Sequence, residues 1–198
     1  GEFSAIGTTS VEITSPRTFK EEAIDRLEAA KTGDKKINKK IDKIISFINQ
    51  SLNDNLWKDA SHLVFFEKGK CNNFEETLKS DELDFKKLEK NCPRLGIVVF
   101  YYEKMAVELM MLKQEFKEII EKLVKADSLL AKVSLSDAKN TPINNPKFQK
   151  IVTYQIQKAE EELIKAEKEL SKNKPNKVIM KLAKSWLHSQ LAIKFANL

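Results

Sequence analysis

The stretch "MAVELMMLKQEFKEIIEKLVKADSLLAKV", residues 105 to 133, decides how this chain is read. Its apolar residues Met105, Leu109, Leu112, Phe116, Ile119, Leu123, Ala126, Leu130 and Val133 alternate spacings of four and three without a skip. Two helical turns take about seven residues, so this spacing lines one face of a helix. Neither Pro nor Gly occurs between Ile97 and Thr141. The pattern predicts a single uninterrupted helix from Arg94 to Asp137, roughly 65 Å long at 1.5 Å per residue. A seam of this period calls for an antiparallel partner at a shallow crossing angle.

Partners are available on both sides. Downstream, "NTPINNPK" (140–147) interrupts the pattern, and Asn145-Pro146 supplies a cap and a first helical turn. Val152, Ile156, Ala159, Leu163, Ala166 and Leu170 then repeat at fours and threes. The short "NKPNK" (173–177) leads into a last helix lined by Ile179, Leu182, Ala183, Trp186, Ile193 and Ala196, and so short a link makes the two helices antiparallel neighbours. Upstream, a first helix runs to about Lys31, started either by Ser15-Pro16 or by a Thr18/Glu21 capping box, with Phe19, Ala23, Leu27 and Ala30 inward. Asp34 caps a second helix over about 35–55, with Ile37, Ile41, Ile44, Ile45, Ile48 and Leu52 on one face. "LWKDASHLVFFEKGK" (56–70) breaks the helical period and reads as an irregular or short extended connector anchored by Trp57 and Phe65. The expected architecture is all-α: an elongated antiparallel helical bundle of five to six helices, with one long central helix and a short cysteine-framed insert at residues 69–93.

Composition agrees. The chain has 198 residues, with only five Gly and five Pro, 41% apolar residues and 32% charged ones, a balance that favours long helices around one core. Lys and Arg number 35 against 29 acidic residues, so the net charge of +6 is weak support for a polyanionic partner. No run of about 18 apolar residues is present, which leaves no transmembrane segment to expect. Residues 1–15 lack helical period; "GEF" reads as a cloning scar, and the rest as a tail or the end of a preceding β domain. The helical domain is expected over 16–198.

The search for chemistry is mostly negative. Five scattered glycines do not form a phosphate loop, and neither His62 nor His188 has a second ligand at metal-binding spacing. The lysine–glutamate mixture of 158–172 reads as surface pairs. No catalytic, cofactor-binding or metal-binding residue is assigned, and with the apolar residues spent on helix seams little is left to line a deep pocket. Three features stay as candidates. Lys35, Lys36, Lys39, Lys40 and Lys43 fall opposite the isoleucine face of the second helix, which suits either a polyanion contact or a solvated face. Asn49-Gln50-Ser51 is an N-glycosylation acceptor pattern. Cys71 and Cys92 are the two cysteines of the chain and frame the charged insert. They suit neither a zinc finger nor a thioredoxin-type pair. Two buried free thiols or one disulfide remain; the disulfide would close a loop of about 22 residues, stabilising by roughly 3 kcal/mol, and implies an oxidising compartment.

"INQSLNDNLWKDASHL" (48–63), "KGK" (68–70), "LVKADSLLAKVSLSDA" (123–138), "AEEELIKAEKEL" (159–170) and "VIMKLAKSWLHSQLAIK" (178–194) together resemble an uncharacterised all-helical module of secreted or cell-surface proteins from archaea and environmental bacteria. The resemblance covers most of residues 17–198 and transfers no catalytic residue; the cysteine insert departs from the shorter link expected there. It implies an extracellular or cell-surface setting and a spacer, stalk or adhesion role. The expected partners are a protein or cell-surface polymer and neighbouring domains of a parent chain. The competing expectation is a helical domain that binds nucleic acid or an acidic cell-wall polymer.

Overall fold

The computed structural model describes residues 14–65 and 95–198. Regular structure among them is helical: α1 (Pro16–Ala29), α2 (Lys35–Ser51), α3 (Val98–Met110), α4 (Lys117–Asn140), α5 (Gln149–Ser171) and α6 (Pro175–Ala196). Short 3-10 turns lie at Asp54–Leu56, Gln114–Phe116 and Pro146–Phe148. Of the two possible starts for α1, Ser15-Pro16 is the one used: the Ser15 hydroxyl accepts from the Thr18 amide at 3.2 Å, and Pro16 opens the helix. Asp34 caps α2 by accepting from the Lys36 and Ile37 amides at 2.7 and 3.2 Å. Asn145 caps the 3-10 turn that leads into α5. Ala30, expected inward, is the exposed C-cap of α1.

The long central helix is not formed. It is two helices: α3 stops at Met110, Lys113 is extended (φ −139°, ψ 126°), and a 3-10 turn at 114–116 leads into α4. One observation shows that the chain folds back there. Glu103 and Asp127, which a continuous helix would hold about 36 Å apart, both bind the same ammonium, that of Lys20. The four-three series is not one buried face through the corner: before the turn Met105 and Leu109 are half-buried while Ala106, Val107 and Met110 face the core, and the series residues become core residues from Phe116 through Leu130. Leu112, assigned to the seam, instead sits at the corner and is 81% exposed. Apolar spacing constrains which residues face a core; it does not require the backbone between them to stay helical.

α6 packs against α5, α4 and α3, while α2 lies on α3 and α1 on α4. The turn from α5 to α6 contains Asn173 at φ 54°, a left-handed position that Asn adopts more readily than most residues. Small residues let the last three helices approach closely: Ala131, Ser134 and Ala138 on α4, Ala159 and Ala166 on α5, Ala183, Ser185, Ser189, Ala192 and Ala196 on α6 are all buried. Trp186 fills the larger space at the other part of α6. It is 1% exposed, with Phe65 edge-on at 5.9 Å and Phe100 at 6.1 Å between ring centres.

The connector holds this arrangement from the side. Trp57 and Leu63 form an isolated antiparallel bridge, the Trp57 indole donates to the Ser51 carbonyl at 2.8 Å, and both Trp57 and Phe65 are buried as expected. The Gly96 amide donates to the Val64 carbonyl at 2.6 Å. A Cβ at position 96 would lie 2.4 Å from the Leu63 Cβ and 2.7 Å from the Val64 carbonyl oxygen, so the close approach of these two segments requires glycine. No helix among the described residues is long and apolar enough to cross a membrane.

Candidate functional site

The chemically loaded part of the molecule was not singled out by sequence motifs. It is a cluster of three charged side chains at core positions of three helices. On α1, Pro16, Lys20, Ala23 and Leu27 follow the four-three-four spacing of one face, and all four are buried. On α3, Glu103 falls in the same way between Val99 and Phe100 on one side and Ala106 and Val107 on the other. On α4, Asp127 lies between Leu123 and Leu130 or Ala131. Helical period therefore aims one ammonium and two carboxylates at a common point, and all three side chains are 0% exposed.

Lys20 Nζ donates to Glu103 Oε1 and, at 3.0 Å, to Asp127 Oδ1. The Trp57 ring covers it, with the ammonium 5.5 Å from the ring centre, and the Arg17 guanidinium lies 5.8 Å from that same centre. Arg17 is tied in turn to Asp54 Oδ1 at 2.7 Å. The second oxygens, Glu103 Oε2 and Asp127 Oδ2, are buried without a hydrogen-bond partner. One positive charge thus faces two carboxyl groups in a place water does not reach. Burial pulls the Lys20 ammonium toward a lower pKa, but the combined attraction of Asp127 and Glu103 outweighs it and holds the group above its ordinary value. For Glu103, burial and then the negative charge of Asp127 push the carboxyl well above the carboxylate range, and Lys20 offsets only part of this. Of the three groups, Glu103 is the one whose surroundings favour the uncharged form.

A second feature is open to solvent. A cavity of about 570 Å³ lies where the beginning of α4 meets the end of α5 and the beginning of α6. Ile120, Val124, Leu163, Val178 and Leu182 contribute apolar lining, and Lys113, Lys117, Lys125 and Lys132 are among its charged residues together with Glu121 and Glu167. Met111 and Leu170, which also line it, are 42% and 54% exposed. The expectation that helix seams would leave little for a pocket is corrected here. Met111, Lys113 and Gln114 of the turn that replaces the long helix are among the residues lining the cavity.

The sequence candidates lie elsewhere. Lys35, Lys36, Lys39, Lys40 and Lys43 are all exposed on α2, opposite the buried Ile41, Ile44, Ile45 and Ile48, and none of them lines the cavity. Asn49 is exposed on the last turn of α2, while Ser51 of the same triplet is buried and donates to the Ile48 carbonyl at 2.7 Å. Cys71, Cys92 and the insert at 69–93 lie outside the described residues. His62 bridges the connector to α4, 2.7 Å from Asp59 and 3.2 Å from Asp137, at the surface. His188 is half-buried, with Nδ1 2.7 Å from Gln155 Oε1. Among the described residues no group of three or more His, Cys, Asp or Glu is arranged to hold a metal ion.

A lysine, a glutamate and an aspartate each occupy a position that the apolar period of its own helix assigns to the core. Phe19 and Ala126, the chain neighbours of Lys20 and Asp127, are also buried. Comparison of the chain with family models, curated proteins and solved structures found no match.

Proposed function

We propose that this domain is a non-catalytic structural or interaction module of an extracellular or cell-surface protein, an elongated antiparallel bundle that acts as a spacer, stalk or adhesion element beside other domains of its parent chain. The observation that carries the reading is the closure of the Lys20–Glu103–Asp127 cluster. A residue that turns over a substrate must touch it, and these side chains have no exposed surface. Lysines and glutamates of α5 pair with each other three residues apart along that helix. The resemblance to helical modules of secreted archaeal and bacterial proteins, and the Cys71/Cys92 pair, are the support for the location. Labelling of intact source cells with an antibody against this domain tests it. Staining without permeabilisation is expected, and staining only after permeabilisation overturns the surface assignment. Mass analysis of protein matured under oxidising conditions is expected to show Cys71 joined to Cys92.

A second reading has its own observation. Five lysines of α2 stand exposed on one helix, and none forms an ion pair among the described residues. This suits binding of nucleic acid or an acidic cell-wall polymer. Binding that weakens steeply with salt and is lost when Lys36, Lys39 and Lys43 are changed together to Glu would favour it over the spacer.

A further inference from the structure

We propose that the buried cluster is the site of an intramolecular amide bond, formed by the chain itself between Lys20 Nζ and the side-chain carboxyl carbon of Glu103, with Asp127 as the proton carrier. The reasoning starts from the cost of the cluster as three separate groups. Two ions are held out of water, where desolvation penalises each by several kcal/mol. Neither Glu103 Oε2 nor Asp127 Oδ2 receives a hydrogen bond from Lys20 or from a backbone amide. Native cores rarely keep such groups without a use for them. The arrangement contains everything a condensation requires. A primary amine and a carboxyl group are in contact. A second carboxylate touches the same nitrogen at 3.0 Å and is able to take its proton.

The electrophile is the carboxyl group that is neutral. A carboxylate repels an attacking amine, whereas a carboxylic acid accepts it; Glu103 makes the closer contact with the Lys20 nitrogen, and burial with the Asp127 charge pushes it toward the acid. Asp127 takes one proton from the Lys20 ammonium and frees the nitrogen lone pair. The nitrogen attacks the Glu103 carboxyl carbon, forming the C–N bond and moving the carbonyl electrons onto oxygen. Asp127 returns its proton to the hydroxyl that leaves as water, and the carbonyl reforms. The second proton shed by the nitrogen remains on Asp127. An ammonium, a carboxylic acid and a carboxylate become an amide, a water molecule and a carboxylic acid, with no change in total charge and no outside reactant.

The product removes what made the cluster costly. No ion remains buried, and the Asp127 acid has the new amide carbonyl as an acceptor. In water the ionic reactants and the excess of solvent would oppose condensation. Here water is excluded, and the reacting groups are held in contact by α1, α3 and α4, the condition under which effective molarities become very large. The bond would tie α1 to α3 across 83 residues of chain, making the first helix inseparable from the core under pulling or denaturation.

The intact mass of the full chain, reduced and denatured, tests this. The mass is expected to be lower than that of the amino-acid sequence by one water. Proteolysis is expected to release a branched peptide joining Lys20 to Glu103. Lys20→Arg is expected at full sequence mass. Asp127→Asn, shown by circular dichroism to keep its helicity, is also expected at full mass, and Asp127→Glu is expected to restore the loss of water. Full sequence mass in the unsubstituted protein overturns the proposal, whether or not any variant folds. A loss of water that persists in Lys20→Arg overturns it as well, since the bond then lies elsewhere. A branch at Asp127 overturns the choice of Glu103, and water loss in Asp127→Asn equal to that of the unsubstituted protein overturns the role of Asp127.

Discussion

Lysines meet carboxylates in two regions of this protein, and the two could hardly differ more in environment. On α5, Lys158–Glu161, Lys165–Glu162 and Lys172–Glu169 are spaced i,i+3 at 2.8, 2.6 and 3.0 Å, and in each pair the lysine is at least a third exposed. At the junction of α1, α3 and α4 the pairing distance is similar, 3.0 Å from Lys20 to Asp127, but nothing is exposed. Distance therefore does not set the value of the contact. On α5 water reaches the lysine of each pair, and in Lys158–Glu161 both partners, so an exposed pair of that kind is worth only about 0–1 kcal/mol. In the core an opened pair has no water to turn to, and the uncompensated charge carries the whole penalty.

The largest way to sharpen that contrast is to strand the buried carboxyls. Lys20→Met keeps the volume of the side chain and leaves Glu103 and Asp127 with neither the ammonium nor the amide made from it, and it is expected to destabilise the fold by about 3–5 kcal/mol, read as a lower urea midpoint. Trp186→Ala, in the apolar part of the same core, is expected to cost about 3–5 kcal/mol through the cavity left beside Phe65 and Phe100, and a loss under 1 kcal/mol would mean the indole is not packed as described. Gly96→Ala is expected to cost about 1–3 kcal/mol by overpacking, because the new methyl meets Leu63 and the Val64 carbonyl, in part backbone that has little room to move. At the other end of the comparison, Lys158→Ala, which frees the exposed Glu161, is expected to stay within about 0.5 kcal/mol of the parent in the same titration.

His188 provides the smallest test and a different sign of electrostatics. Burial depresses its pKa below the ordinary 6.5, with Lys158, Lys184 and Lys165 acting in the same direction and Glu162 against it. The unfolded chain therefore binds a proton that the folded chain resists. The contribution of this residue to stability is complete above about pH 6.5 and is lost as the pH falls through that value toward the lower folded one. Urea midpoints measured from pH 7.5 to 5 are expected to fall more for the parent than for His188→Gln. Equal slopes would mean that His188 is solvated in the folded protein.

Most element boundaries were legible from local chemistry. Ser15, Asp34, Asn145 and Pro175 mark helix starts in the sequence and do so in the structure. Trp57 and Phe65, read as anchors of the connector, and Trp186, read as lining the last helix, are buried. The corner at 111–116 was not legible, because no Gly or Pro announces it. The residues there, "MLKQEF", are compatible with a helix, and the turn is held by contacts made far from it, above all the meeting of Glu103 and Asp127 at Lys20. The cluster was half legible: each member breaks the apolar pattern of its own helix, but no spacing within the chain relates residue 20 to 103 or 127.

By itself, the sequence determined that this protein is helical, where the caps fall and which face of each helix is apolar, since these follow from residues within one or two turns of each other. Only the tertiary structure decided that the central seam bends into two helices, that a cavity opens beside the bend, and that three charges converge in the core. Those outcomes depend on which buried surfaces and which opposite charges meet after the chain has folded back, and free energies of that kind belong to contacts between segments, not to any one segment's pattern.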